Sequence, residues 1–128
     1  MNKKKPNCLF CNIPDTSVVR QNSLAFVIMD NYPVTSLHSL IIPKRHAENY
    51  FELTKAELIS LHELIHLSRK MIQREDKTVD GFNIGINVGK TAGQSIFHCH
   101  IHLIPRRKGD VENPKGGVRH LIPGKGYY

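Results

Sequence analysis

Between residues 81 and 105 the chain twice places apolar side chains at every second position. In GFNIGINV (81–88), Phe82, Ile84, Ile86 and Val88 alternate with Asn83, Gly85 and Asn87. In QSIFHCHIHLIP (94–105), Cys99, Ile101 and Leu103 alternate with His98, His100 and His102. A period of two is the repeat of a strand, whose successive side chains point to opposite faces. The intervening GKTAG (89–93) is turn-forming, so the two stretches are predicted to pair as an antiparallel hairpin, the second closed by Pro105. The chain is thereby constrained to a sheet with one apolar face and three imidazoles in a row on the other.

The apolar face needs a cover, and LTKAELISLHELIHLSRKMIQRED supplies one. Thr54 with Glu57 three residues on reads as a capping box, which marks a helix start. Leu58, Leu61, Leu64, Ile65, Met71 and Ile72 then recur at helical spacing, with Glu63, Lys70, Gln73 and Arg74 away from that stripe. Upstream, NSLAFVIMD (22–30) and SLHSLIIPKRH (36–46) read as two more strands, the latter ended by Pro43. The expected class is α+β: an antiparallel sheet with one long helix packed on it. At 128 residues the chain is one domain. Residues 1–7, with Lys3, Lys4 and Lys5, read as a flexible basic tail. Residues 108–128, rich in Gly and Pro, read as an extended arm.

No apolar run reaches the roughly 20 residues of a membrane span, and MNKKKPNCLF lacks the apolar region of a secretory signal. Three cysteines, an odd number, fit a reducing compartment, so a cytoplasmic protein is expected. The net charge of +7, from 18 Lys and Arg against 11 Asp and Glu, favours anionic partners. Charge alone does not choose among nucleic acids, membrane surfaces and small phosphates.

The histidines narrow the choice. On a strand the backbones of His98 and His102 would lie about 13 Å apart, at about 3.3 Å per residue. Zinc needs its nitrogens at about 2.1 Å, so one ion holding all three rings is awkward. Separate imidazoles in a row suit other work. Neutral imidazole is a nucleophile toward phosphorus, with an ordinary pKa near 6.5. A middle ring can attack while its neighbours fix its tautomer, position phosphate oxygens or shuttle protons.

HCHIHLI resembles the His-φ-His-φ-His-φ-φ signature (φ apolar) of the histidine triad, or HIT, family of nucleotide hydrolases and transferases. AFVIMDNYPVTSLHSLIIPKRH is similar to the upstream strand pair of that family, and NVGKTAGQS to its loop before the triad, so the likeness covers residues 8–107. The resemblance implies a half-barrel fold, a homodimer, and cleavage at the α-phosphate of a nucleotide through a covalent nucleotidyl-histidine. It makes His100 the nucleophile, flanked by His98 and His102, with His38 as a fourth catalytic histidine. Asn87, and Gln94 or Ser95, match positions contacting phosphate and leaving group; Gly93 belongs to the same substrate loop, although Gly89 and Gly93 equally suit a plain hairpin. Asp30 matches a ribose-binding position and Ile28 a wall for the base, although Asp30 and Asn87 also suit turns. Leu37 departs from the pattern, which has Gly before the histidine.

The implied partner is a nucleotide, not a nucleic acid or a membrane. Dinucleoside polyphosphates and nucleoside phosphoramidates are candidate substrates, with phosphorolysis an alternative to hydrolysis. Arg106, Arg107, Lys108, Arg119 and Lys125 favour a long polyphosphate chain. The rival class is a nucleotide- or RNA-binding module without turnover.

CLFC places Cys8 and Cys11 in a C-x-x-C pair, a weak sign by itself. A redox pair is expected where a strand meets a helix, whereas Asn12-Ile13-Pro14-Asp15 follows here. The resemblance implies that Cys8, Cys11, His46 and His98 hold a zinc ion in a closed, structural tetrahedron; otherwise the cysteines are free thiols. The chemistry itself requires no metal. Cys99 is expected in the core, and His62 and His66 on a solvated helix face.

Overall fold

The computed structural model describes residues 4–128. Its elements are β1 (Val18–Gln21), β2 (Ala25–Met29), β3 (Ser39–Pro43), α1 (Lys55–Glu75), β4 (Val79–Gly85) and β5 (Ile101–Arg107), with short 3-10 turns between them. The five strands form one antiparallel sheet in the order β1-β2-β3-β5-β4. The α+β class is as expected, with β1 an additional strand. VVRQ is too short and too polar to stand out by pattern. Among the described residues no helix is long and apolar enough to cross a membrane.

Helix α1 starts where the capping box places it: Thr54 Oγ1 accepts from Glu57 N–H at 3.1 Å, and Glu57 accepts from Thr54 N–H at 2.8 Å. Its inner face carries Leu61, Leu64 and Ile72, interleaved with Ser60 and Ser68. These small residues let the helix lie close on Ala25, Val27, Ile41, Ile101 and Leu103, which form the core beneath it. Met71, expected on the stripe, is instead 40% exposed. The opposite face of the sheet buries Phe26, Ile28, Leu40 and Ile42 under Phe10, with Cys8 and Ile13 alongside.

Three expected boundaries differ. Strand β4 covers 79–85 and β5 begins only at Ile101, so residues 86–100 form a long connection in place of a five-residue hairpin turn. Pairing of β3 with β5 ends at Ile41↔Ile101. His98 and His100 therefore precede the strand, although the two-face alternation persists, with Ile101 and Leu103 in the core under α1 and His98 and His100 against Phe10 on the other face. Pro105 does not close β5, which runs on to Arg107. It sits opposite Phe82, beyond the reach of β3, on what is locally an edge where a missing N–H costs nothing. The residue 108–128 arm is folded, not extended. Its 3-10 turn (Gly117–Leu121) returns the chain, and His120 stacks on Tyr127 with ring centroids 4.5 Å apart.

That packing also engages the basic side chains. Arg106 pairs with Asp110 at 2.7 Å and Arg107 with Asp76 at 3.0 Å, while Arg119 lies over the Tyr128 ring. The expectation that Arg106 and Arg107 neutralise a polyphosphate therefore loses its two nearest cations. Of the N-terminal tail, residues 1–3, including Lys3, lie outside the described residues. Lys4 and Lys5 are exposed, and the Lys5 carbonyl accepts from Asn12 Nδ2 at 3.1 Å.

Candidate active site

The imidazoles fall into two groups on the N-terminally covered face, His46 with His98 and His100 with His102 and His38, and the ring of Phe10 touches both. Neighbouring ring centroids are 5.0 Å apart for His46–His98, 5.3 Å for His100–His102 and 5.2 Å for His38–His102. The second group is built by sheet register. Leu40 of β3 and Gly85 of β4 both lie opposite His102. Two residues before Ser39 starts β3, Leu37 takes φ +72°, so the turn keeps the left-handed backbone without a glycine. His38 is delivered to that group all the same.

Hydrogen bonds assign the tautomers, because a carbonyl only accepts and a backbone N–H only donates. His100 Nδ1 lies 2.8 Å from the His98 carbonyl, so Nδ1 carries the proton and Nε2 keeps its lone pair. The backbone N–H of Val34 donates to His38 Nδ1 at 3.1 Å, which puts the proton of neutral His38 on Nε2. That proton points to His102 Nδ1 at 3.0 Å, with Asp30 Oδ2 next at 3.4 Å. His102 then bears its own proton on Nε2. Burial drives the His102 pKa down to about 4, helped by the neighbouring His100 and His38 against the opposing pull of Asp30. Burial also lowers His38, again against Asp30. Both rings are held neutral at pH 7.

His98 is placed differently from the expectation that it flanks the reaction. It is fully buried, its Nε2–H donates to the Pro43 carbonyl at 2.8 Å, and its Nδ1 faces Cys8 Sγ at 3.3 Å and Cys11 Sγ at 3.5 Å. With both nitrogens engaged, its side chain has none left for a substrate; its carbonyl sets the tautomer of His100 instead.

Cys8 Sγ, Cys11 Sγ, His46 Nδ1 and His98 Nδ1 all lie within 4.8 Å of one another. Contacts of 3.2 to 3.5 Å among them match the edges of a zinc tetrahedron, about 3.5 Å for bonds of about 2.3 Å to sulfur and 2.1 Å to nitrogen. Burial pushes the Cys11 thiol above its ordinary range, so a cation is what would release its proton. Cys11 N–H donates to Cys8 Sγ at 3.4 Å, a bond that favours thiolate. The donor set fits zinc. Asp30, His38 and His102 also converge, but His38 Nε2 could ligate only by losing the proton that the Val34 bond fixes there. In that trio His38 Nε2 is the donor, toward His102 and Asp30.

The loop residues divide. Asn87 lines a cavity of about 520 Å³ together with His38, His102, Arg106 and, from the arm, Val118 and Leu121. Gln94 is buried and braces the loop: Oε1 accepts from Gly89 N–H, and Nε2 donates to the carbonyls of Glu48 and Ile96. Both polar atoms of the Gln94 side chain are engaged within the protein, so the side chain braces the loop and does not reach for substrate. Ser95 lies in a separate cleft with Cys8, Leu9 and His46. Gly93 has φ +94° and closes the 3-10 turn of that loop, a conformational role that glycine fills. Asp30 accepts from Tyr32 N–H at 2.8 Å, leaving Oδ2 toward His38. Ile28 is 7% exposed and packs among Phe10, Phe26 and Leu40. Cys99 is buried, and His62 and His66 stack on the exposed side of α1. Pattern reading missed Phe10 and the Arg45–Glu57 pair at 2.8 Å, which ties the residue before His46 to the helix cap.

Comparison with known proteins places this geometry. The HIT domain family model matches residues 12–109. An uncharacterized HIT-like protein of Saccharolobus solfataricus is 30% identical over 125 residues, covering 94% of this chain and 89% of the relative. An adenylylsulfatase of Arabidopsis thaliana is 33% identical over 81% of the chain, which spans 54% of that protein. A HIT family crystal structure from Bacillus anthracis superposes with TM-score 0.75 at 36% identity, covering 82% and 77% of the two chains. A Zn-bound histidine triad protein from Mycobacterium smegmatis gives 0.73 at 30% identity, covering 81% and 78%. A Plasmodium falciparum diadenosine triphosphate hydrolase gives 0.72 at 29% identity, covering 79% and 68%. With the family model matched over most of its length, the chain belongs to the HIT domain family.

Proposed function

We propose that the protein is a nucleotide hydrolase that transfers a nucleotidyl group through His100 to water. The observation that carries this reading is the bond from His100 Nδ1–H to the His98 carbonyl, which leaves the Nε2 lone pair as the nucleophile. The named activities of two relatives, an adenylylsulfatase and a diadenosine triphosphate hydrolase, support a bond to the α-phosphorus as the one cleaved.

In the first step Nε2 bonds to the α-phosphorus and the bond to the leaving group breaks, its electron pair departing with the leaving group. The Nε2–H of His102, backed by His38, is the nearest proton source for that group. In the second step water attacks phosphorus and returns one proton to His102 Nε2, the P–N bond breaks with its electron pair going back to His100 Nε2, and the nucleoside monophosphate leaves with both histidines restored. Asp30 Oδ2 accepts from the ribose, and Ile28 lies in the apolar cluster that backs the base. Ser95 is the loop's candidate phosphate contact, while the N–H groups of Gly89, Ala92, Gly93 and Gln94 are spent within the loop, so Gly93 shapes the loop by its conformation.

Cys8, Cys11, His46 and His98 would hold zinc, which when bound supplies structural rigidity. The unpaired edge of β4, beside exposed Ile59 and Ile84, suits a second copy of the chain in a homodimer. Cysteines that pair in no disulfide suit a reducing, cytoplasmic setting.

The cavity selects between leaving groups. Its cation, Arg106, is already paired with Asp110 and bonded to Asn83, and Ile104, Val118 and Leu121 supply apolar wall. These walls favour a neutral or apolar leaving group, as in a nucleoside phosphoramidate, over the long dinucleoside polyphosphate that the charge count suggested.

Both substrates, adenosine phosphoramidate and diadenosine tetraphosphate, decide the matter when incubated with the parent and with His100→Ala, products read by mass spectrometry. AMP released by the parent and lost in the variant supports the reading. Nucleotide bound without cleavage would return the chain to the binding-module class.

A further inference from the structure

Phe10 lies between the two cysteines of the pair, yet it takes no part in holding a metal. Of the two intervening residues, Leu9 is 60% exposed and Phe10 only 5%. The ring of Phe10 meets His100 edge-on, with centroids 5.0 Å apart and planes at 75°, and meets His98 at 6.1 Å and 84°. One hydrogen bond, from Nδ1 to the His98 carbonyl, fixes the tautomer of His100, and the swing of the ring about that bond is bounded by the rings of Phe10 and His102. An aromatic ring against its side at van der Waals range limits the swing on that side. Phe10 cannot yield in turn, being wedged among Phe26, Ile28, Leu40 and Ile42. It is also flanked by two sulfurs that face His98.

We propose that Phe10 is a positioning residue for His100, through which, together with the His98 carbonyl, the cysteine knuckle controls the aim of the nucleophile. The inference rests on the reading of His100 as the attacking group. The knuckle then does more than staple the N-terminal segment to the sheet. Its two links converge on one imidazole, one gripping Nδ1 and the other the ring's flank.

Phe10→Leu and Phe10→Met keep apolar bulk while removing the ring. Four quantities are read: bound zinc per chain, thermal midpoint, kcat and KM for adenosine phosphoramidate, and the ¹⁵N resonances of His100. Positioning requires zinc content and midpoint close to the parent, kcat lower by about tenfold, and KM within about twofold, since small misplacements act on the reacting geometry. The His100 resonances should shift and broaden as the ring gains freedom, while keeping the Nδ1–H pattern that the His98 carbonyl fixes. A raised KM with unchanged kcat would make Phe10 a wall of the substrate site and overturn the proposal. So would unchanged kinetics with unmoved His100 resonances.

Should neither variant fold, the parent stripped of zinc by chelation gives the answer: shifted His100 resonances support the coupling, and unshifted ones refute it. If the parent cleaves no nucleotide, the functional reading fails by itself, and the resonances alone decide whether Phe10 and the knuckle aim the ring.

Discussion

His38 Nε2 lies 3.0 Å from His102 Nδ1, and the Val34 N–H occupies the other nitrogen of His38 at 3.1 Å. The backbone thus dictates a tautomer two side chains away: Val34 fixes His38, and His38 fixes His102. Removing the middle member frees His102 to rotate and to change tautomer. His38→Ala is expected to lower kcat by about a hundredfold, at the low end of general acid–base contributions. His38→Gln, which retains a donor, should recover part of that loss. Steady-state kinetics on the phosphoramidate check this, and an unchanged kcat in the alanine variant would separate His38 from the reaction.

The metal reading makes a different claim. Cys11→Ser and His46→Ala each remove a donor from the cluster, so the parent is expected to carry one equivalent of zinc by elemental analysis and both variants to lose it. The sheet and helix core remain without the ion, so the chain should stay folded. It should be destabilised by roughly 3 kcal/mol, about 10 °C in Tm, less than the binding energy of a zinc-finger peptide. Zinc content of zero in the parent, purified without chelator, would leave Cys8 and Cys11 as plain thiols.

Leu37 holds φ +72°, a conformation that costs a non-glycine residue about 1–2 kcal/mol, while its side chain packs against the main core. In Leu37→Gly the relieved strain and the lost packing oppose each other, so stability should change by less than about 1 kcal/mol. Leu37→Ile keeps the bulk but adds a branch at Cβ, which the left-handed backbone tolerates poorly, and should cost about 2 kcal/mol. Chemical denaturation of both variants ranks them. The reverse order would mean that packing, not backbone strain, governs the site.

What the chain revealed before folding depended on how locally each feature is encoded. Helix α1 was legible from Thr54 onward because capping and apolar period lie within one segment. The histidine alternation was legible too, and it survives, although the ladder begins only at Ile101. The residues ahead of it are held by contacts that no local pattern carries: His98 to the Pro43 carbonyl and Cys99 N–H to the Ala47 carbonyl. For the same reason Gln94 reads as a substrate contact until Glu48, remote in sequence, is seen to accept from it at 2.6 Å. Charge counting failed at Arg106 and Arg107 because their partners, Asp110 and Asp76, are supplied by chain reversal and by the end of α1. Phe10 carries no signal beyond its place inside the cysteine pair.

Acid should weaken the fold before it abolishes charge pairing on the surface. The pKa of His102 falls from about 6.5 in the unfolded chain to about 4 when buried, and that of His38 is lowered in the same direction. A histidine whose folded pKa is depressed adds stability above its unfolded pKa and loses it as the pH drops toward the folded value. Stability should therefore be flat above about pH 7 and decline between about pH 6.5 and 4. His102 alone contributes up to about 3 kcal/mol of the loss. Thermal melts across that range test the slope, with His102→Asn as the control, because an amide in the same place cannot take up the proton. If the variant declines as steeply as the parent, the loss belongs to other groups. If its slope is shallower, burying neutral His102 is a source of the acid lability, beside His98, whose pKa burial also lowers to about 4.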